Sequence, residues 1–247
     1  MSSRRGDHRR SNTKPRRRPV RTAPPPVAKV EGRAAEHDAH GHVEEDESGF
    51  ERLIFFSDAV FAIAITLLII DIHLPDNAGS DLAGALRHLE PSFEGFVISF
   101  LVIALYWVSH HRLFGSIRTY DTRLIWINIW ILMLIVFLPF SSSMVSSYGE
   151  HRVAVIFYAL NLAAIGLLFL LLWLYATYHG RLISPSTPIA VIRRTTLRLG
   201  VPPLVFFLSI PIALVNTNVA KYSWLMIPVL FRVAQYVVGP DNIVERS

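Results

Sequence analysis

Long apolar blocks constrain the fold of this chain more than any other feature. A helix that crosses a bilayer needs roughly 17–25 mainly apolar residues, and residues 53–238 consist largely of such blocks separated by short polar connections. Only 17% of the 247 residues are charged, whereas soluble domains contain roughly 25%. The sequence therefore predicts an integral membrane protein of the all-α class.

The hydrophobic pattern predicts six transmembrane helices in a membrane domain of residues 50–240. Their expected bounds are 53–74, 93–109, 124–144, 153–175, 196–215 and 222–238. The fifth contains Pro202, Pro203 and Pro211, and the sixth contains Pro228. Because proline lacks a backbone donor and its ring crowds the preceding turn, kinks are expected in these two helices.

The two ends of the chain lack the apolar residues that a packed core needs. Residues 1–49 are predicted to be a disordered cytosolic tail, basic in its first part and acidic in its second, and residues 241–247 a short cytosolic C-terminal tail. The basic run at residues 9–21 could contact anionic lipid head groups or nucleic acid. A solvated tail is the simpler interpretation, and no nucleic-acid partner is expected.

The charges of the connections predict the orientation in the cell membrane. The connections from span two to three and from span four to five carry Arg112, Arg118, Arg123, Arg181, Arg193, Arg194 and Arg198. The three alternate connections carry one basic residue each, Arg87, Arg152 and Lys221. Because basic connections tend to stay in the cytosol, both termini and the even-numbered connections are predicted to be cytosolic.

The first span carries a stripe of side chains on one side of the helix. At 100° per residue, Ala59, Ile63, Thr66 and Ile70 share this stripe, and Asp58 lies about 140° away from Ile63. If the stripe lines a central axis, Asp58 points back into its own subunit. Thr66 could bond its own i−4 carbonyl, as isolated membrane threonines commonly do. In a ring of copies it could instead contact an ion, with Ile63 and Ile70 forming apolar rings that gate by dewetting.

Asp58 lies inside an apolar run, where an ionised carboxylate is costly and needs a partner or a function. The polar or aromatic residues expected at a similar depth are Ser57, Trp107, His110, His111 and Asn128. A buried hydrogen-bond network among them would hold span one against spans two and three. The alternative is that Asp58 itself is an ion or proton site.

Other polar residues give weaker signals. Arg52 is expected at the membrane interface, snorkelling or paired with loop acids. Asp71 and His73 belong to an acidic outer mouth, which would either concentrate cations or simply be solvated. The adjacent His110 and His111 point about 100° apart, which argues against a shared metal. No nucleotide-binding or hydrolase motif is present, so neither an enzyme nor a cofactor is expected.

The segment Arg52-x-x-x-Phe56-Ser57-Asp58 resembles the signature of the transmembrane protein 175 family of potassium channels. The resemblance continues through AVFAIAITLLIIDIHLP to YWVSHHRLF at residues 106–114. It covers about residues 50 to 240 and leaves out the N-terminal tail. It implies that a single six-helix unit assembles as a homotetramer, with the first helices lining the pore and no carbonyl-loop selectivity filter.

The resemblance also implies roles for particular residues. Ile63 matches the apolar constriction, Thr66 a position that contributes to cation preference, and Ile70 a further apolar pore position, whereas the Phe-Ser-Asp triplet is associated with packing between helices. The expected protein is a homotetrameric potassium-permeable cation channel in the lipid bilayer, with potassium as the permeant ion. The alternatives are a secondary or proton-coupled carrier that uses Asp58, and a non-conducting membrane scaffold.

Overall fold

The computed structural model describes residues 28–74, 79, 81–180 and 182–238, and these residues form helices joined by short connections. The helices are α1 (Ala28–Leu67), α2 (Leu82–His88), α3 (Glu90–Phe114), α4 (Thr122–Val136), α5 (Leu138–Tyr148), α6 (Arg152–Thr177), α7 (Ile189–Val215), α8 (Thr217–Ser223) and α9 (Met226–Val238). A 3₁₀ turn at Leu68–Asp71 follows α1. The chain divides into two compact units, Met1–Glu45 and Asp46–Ser247, and the second holds the helical bundle.

The helix α1 begins earlier than the sequence predicts. Residues 28–49, expected to belong to a disordered tail, are helical in the structure. This segment is rich in Ala and Glu and contains no proline, and both residue types favour helix formation. The predictions for residues 1–27 and 241–247 lie outside the described residues.

Five segments of the described chain are long and apolar enough to cross a membrane. They are Ser48–Ile70, Leu82–Phe114, Thr122–Tyr148, Arg152–Thr177 and Ile189–Val215. They correspond to the first five predicted spans, and the all-helical membrane fold is confirmed. The sixth predicted span is described as α8 and α9, and the 13 residues of α9 extend only about 20 Å. A sixth crossing therefore stays a prediction.

Two breaks in the described helices lie beside prolines, one in the third predicted span and one in the sixth. The helix α7 is continuous through Pro202, Pro203 and Pro211. The third span, in which no kink is expected from the sequence, breaks at Phe137 between α4 and α5, because Pro139 near the start of α5 has no N–H to donate to the preceding turn. In the same way, the break between α8 and α9 precedes Pro228 in the first turn of α9.

The core of the bundle lies around α6, which packs against α4, α5, α7 and α8. Trp173, Phe169 and Ile165 of α6 are fully buried, and the Trp173 Nε1 donates a hydrogen bond to Thr196 Oγ1 of α7 at 3.1 Å. Lipid tails are as apolar as these side chains, so helices in a membrane associate mainly through close packing and interhelical hydrogen bonds. The contact between α6 and α7 is therefore expected to be sensitive to added volume.

Replacing Gly166 with alanine is expected to destabilise the contact between α6 and α7. A Cβ atom at Gly166 would lie 2.8 Å from the Cδ atom of Pro203, a rigid ring. Overpacking of this kind costs about 1–3 kcal/mol, and each 1 kcal/mol lowers the melting temperature of a chain of this size by about 2–4 °C. Thermal unfolding of the detergent-solubilised protein measures the effect.

The matched control for this substitution is Gly200→Ala in α7. A Cβ atom there has its nearest neighbour, Leu170 Cδ2, at 3.9 Å, which is an ordinary contact, and alanine favours the helix over glycine. The control is expected to melt at or slightly above the wild-type temperature. Equal melting temperatures for the two variants would contradict a tight contact at Gly166.

Two of the connections meet at one end of the bundle. The backbone N–H of Arg118, between α3 and α4, donates to the carbonyl of Leu182, between α6 and α7, at 2.8 Å, and Ile117 pairs with Ile183 in an isolated antiparallel bridge. These are the two connections whose basic residues predict a cytosolic position. The structure therefore places both on the same side of the bundle.

Candidate pore-lining surface

The membrane part of α1 has a buried face and an exposed face. The buried face consists of Ser57, Phe61, Ala64 and Leu68, which are all at most 4% exposed. The sequence-predicted stripe of Ala59, Ile63, Thr66 and Ile70 is exposed along its whole length, with Ile63 56% and Ile70 64% exposed. The two faces lie on nearly opposite sides of the helix. One chain therefore leaves a continuous, largely apolar helix face uncovered.

Thr66 is the polar residue of this exposed stripe. Its Oγ1 donates a hydrogen bond to the Ile63 carbonyl, one turn back, at 2.8 Å. The sequence led us to consider the i−4 carbonyl, and the structure uses the i−3 carbonyl instead. The hydroxyl hydrogen is used within the helix. The lone pairs of the oxygen therefore remain available to coordinate a cation.

Three buried polar side chains join α1, α3 and α4. Asn128 of α4 donates through Nδ2 to Ser57 Oγ of α1 at 2.9 Å, and Ser57 in turn donates to the Leu53 carbonyl at 2.8 Å. The Oδ1 of Asn128 lies 2.9 Å from Nε2 of His110 in α3, which requires that Nε2 carries the hydrogen. All three side chains are fully buried. These three side chains, hereafter the Asn128 cluster, orient the buried face of α1 toward the bundle.

Aromatic rings enclose His110. Phe114 stacks on it with ring centroids 4.2 Å apart, Phe61 lies at 5.4 Å and Phe169 meets it edge-on at 6.2 Å. The sequence analysis did not identify this enclosure, although Phe61 follows Ser57 and Phe114 follows His110 by one helical turn. No group of three or more potential metal ligands is present among the described residues. The surroundings of His110 are those of a packed, structural side chain.

Asp58 lies apart from the Asn128 cluster. It is half-buried and accepts a hydrogen bond from the indole Nε1 of Trp107 at 2.8 Å, while His111 stacks on the Trp107 ring with centroids 5.7 Å apart. The structure therefore divides the single network expected from the sequence in two: Ser57 bonds Asn128 of α4, which bonds His110, and Asp58 bonds Trp107 of α3. The separation follows from the 100° turn between Ser57 and Asp58.

The remaining residues of the predicted site lie nearer the surface. Arg52 is exposed, and Phe56 is 55% exposed, so neither takes part in the buried contacts of Ser57. At the other end of the span, His73 is exposed and its Nδ1 lies 3.0 Å from the Ile70 carbonyl. The side chain of Asp71 lies outside the described residues.

A serine cluster that the sequence analysis missed packs behind the far end of α1. Ser99 of α3 and Ser142 of α5 are hydrogen-bonded to each other. Beside them lies a cavity of about 30 Å³ between the 3₁₀ turn, α3 and α5. The repeated serines of residues 141–147 were the available signal.

These features define a multi-pass α-helical membrane protein in which α1 presents an exposed, largely apolar face. A family model described as "Endosomal/lysosomal potassium channel TMEM175" matches residues 52–139. A potassium channel of Streptomyces collinus is 38% identical over 176 residues, which cover 69% of this chain and 84% of that channel. A potassium channel of Chamaesiphon minutus is 32% identical over 205 residues, which cover 81% and 97%. The chain belongs to the TMEM175 family.

A solved structure agrees with this assignment. The crystal structure of a lysosomal potassium-selective channel TMEM175 homolog from Chamaesiphon minutus matches with a TM-score of 0.65 and 28% identity, covering 76% of this chain and 99% of that chain. The family expected from Arg52, Phe56, Ser57 and Asp58 is thereby confirmed. The segment matched by the family model contains both the exposed stripe of α1 and the Asn128 cluster.

Proposed function

We propose that this chain is a potassium-permeable channel of the cell membrane, in which four copies surround a central axis and their α1 helices line the path. The observation that carries the proposal is the exposed stripe of Ala59, Ile63, Thr66 and Ile70, opposite the face that is packed into the bundle. The relatives in Streptomyces collinus and Chamaesiphon minutus, both named potassium channels, support the identity of the ion.

The composition of the stripe favours an axis over a lipid-facing surface. Ala59 is exposed on this side of α1, and small residues allow membrane helices to approach closely. Thr66 adds a hydroxyl, which contributes little in contact with lipid tails but can contact an ion. Four such helices around an axis leave a narrow path with apolar walls and one ring of oxygens.

Conduction would take place past side chains and not through a carbonyl-lined filter. The stripe residues up to Thr66 belong to a continuous α-helix, whose carbonyls are used in its own hydrogen bonds. Ile63 forms the main constriction and Ile70 a second apolar ring, and Thr66 lies between them. An ion that gives up its hydration shell more easily crosses such a constriction at lower cost, which favours potassium over sodium.

Each chain would contribute six spans, with α9 completing the sixth and both termini in the cytosol. The shared end of the two basic connections, joined by the Arg118 and Leu182 backbone hydrogen bond, supports this orientation. Asp58 would remain on the subunit side of α1, held by Trp107. Its role would be packing, not ion coupling.

Potassium flux from liposomes tests the proposed function. A preset potassium gradient is expected to dissipate passively once the purified chain is reconstituted, with the same rate whether or not a proton gradient is imposed. The mass of the detergent-solubilised assembly is expected to be that of four chains. A potassium flux that requires a counter-moving proton would instead identify a carrier and overturn the channel.

Replacing Thr66 with valine is expected to lower the potassium-over-sodium permeability ratio. The substitution keeps the shape of the side chain and removes its oxygen, whose hydrogen bonding is worth about 0.5–1.5 kcal/mol, so a change of about two- to tenfold is expected. Reversal potentials under bi-ionic conditions measure the ratio. Thr66→Ser keeps the oxygen and is expected to resemble the wild type.

Thr177→Val is the matched control for this change. Thr177 of α6 also donates to a carbonyl of its own helix, that of Trp173 at 2.9 Å, but it does not belong to the stripe of α1. Its replacement is expected to leave the permeability ratio unchanged. If Thr66→Val also leaves it unchanged, Thr66 does not face the ion path.

A further inference from the structure

An apolar groove has walls from α3, α6, α7 and α9. Its volume is about 190 Å³. Apolar side chains that line it include Val102, Leu105, Phe169, Pro202, Ile227 and Phe231. Leu105, on the wall from α3, is 66% exposed. The hydrocarbon region of a membrane excludes water. An apolar groove there is best filled by a hydrocarbon chain.

A basic pocket adjoins one end of the groove. This second cavity, of about 140 Å³, shares Ser109, Arg198 and Leu199 with the groove and adds Arg112, Ser116 and Thr195. The pocket therefore combines two guanidinium groups with three hydroxyl groups. Among the described residues that line the two cavities there is no carboxylate.

Among the residues that the structure describes, no acidic side chain lines the basic pocket. Arg112 and Arg198 line the same small cavity, and like charges brought together are mutually destabilising. An anion between Arg112 and Arg198 would relieve this repulsion. Guanidinium groups match the geometry of phosphate oxygens, to which they donate paired hydrogen bonds.

We propose that the groove and the basic pocket together bind one anionic phospholipid, with its phosphate between Arg112 and Arg198 and one acyl chain along the apolar walls. The continuity of the two cavities through Arg198 favours a lipid over a free phosphate ion, because the apolar part would otherwise remain unfilled. The charge of the pocket favours an anionic lipid over a zwitterionic one. The pocket lies at the end of α3 that leads into the basic connections, which is where an anionic head group would be found.

Lipid titration followed by native mass spectrometry tests this site. The purified, delipidated assembly is expected to retain phosphatidylglycerol and to bind phosphatidylcholine much more weakly, and inorganic phosphate alone is expected not to compete. Arg112→Gln and Arg198→Gln are each expected to weaken phosphatidylglycerol binding by about fivefold. Equal binding of the two lipids, or competition by inorganic phosphate, would overturn the proposal.

The matched charge control is Arg193→Gln. Arg193 is exposed on α7 and lines neither cavity, so its replacement is expected to leave lipid binding unchanged. If Arg193→Gln weakens phosphatidylglycerol binding as much as Arg198→Gln does, only the overall charge of the connections matters. That result would contradict a specific binding site. Unchanged elution on size exclusion establishes that each variant still assembles.

The acyl part of the site is tested separately. Val102→Trp fills the groove and is expected to abolish selective retention of phosphatidylglycerol, whereas Ile98→Trp, one turn away on α3 and 59% exposed, lies outside the groove lining and is expected to leave retention unchanged. The chain has no cysteine, so Leu105→Cys introduces a unique thiol. Disulfide cross-linking of two chains through this thiol would show that a second copy covers the groove and would overturn the lipid assignment.

Discussion

Replacing Ile63 with asparagine is expected to raise the potassium flux of reconstituted vesicles by about tenfold or more. The four isoleucines of the proposed constriction offer permeating water no hydrogen bonds, so an ion must pass through a segment that tends to dewet. An amide that satisfies such lost hydrogen bonds is worth about 1–3 kcal/mol, and each 1.36 kcal/mol off the barrier is about tenfold in rate. Flux driven by a potassium gradient measures the change.

Ile69→Asn is the matched control for the constriction. Ile69 is the same residue type on the same span and is 51% exposed, close to the 56% of Ile63, but it lies off the stripe. Its replacement is expected to leave the flux within about twofold of the wild type. A wild-type flux for Ile63→Asn, or an equal rise for both variants, would show that the stripe does not line the path.

The depth of polar residues in the predicted spans indicated that Ser57, His110 and Asn128 could form one cluster. Ser57, His110 and Asn128 each lie a few residues inside one end of their spans, and the structure brings them within hydrogen-bond distance. Helical periodicity alone also separated Asp58 from the exposed stripe. Helix geometry is nearly fixed inside a bilayer, so counting residues along a span indicates both the depth and the direction of a side chain.

Contacts that depend on how helices cross were outside the reach of sequence reasoning. Periodicity placed Asp58 and Asn128 at one depth but could not show that Asp58 turns to Trp107 instead. The sequence shows Arg198 only as one of several basic residues in a connection. In the structure it lines both cavities and lies where they join. The effect of a proline was also unpredictable: the helix breaks at Pro139 but continues through Pro202 and Pro203. Neighbouring groups decide whether the loss of one backbone hydrogen bond breaks a helix.

Replacing Asn128 with leucine is expected to lower the stability of the assembly and to change ion permeation at the same time. Asn128 is fully buried and bonds both Ser57 and His110 at 2.9 Å, so leucine leaves His110 Nε2 without a partner in an apolar enclosure. An unsatisfied buried group costs about 1–3 kcal/mol, which corresponds to a melting temperature lower by roughly 2–12 °C. Thermal unfolding and vesicle flux measure the two effects.

Asn161→Leu separates loss of stability from loss of orientation. Asn161 is also buried and donates through Nδ2 to a serine hydroxyl, that of Ser141 at 3.0 Å, but it joins α6 to α5 and leaves α1 untouched. Both variants are expected to melt earlier than the wild type. Only Asn128→Leu is expected to alter the potassium-over-sodium ratio, because of these two asparagines only Asn128 bonds α1 and so helps to set which side chains face the axis. If the two variants change the potassium-over-sodium ratio equally, the bundle as a whole, and not the Asn128 cluster, sets the direction in which Ile63 and Thr66 point.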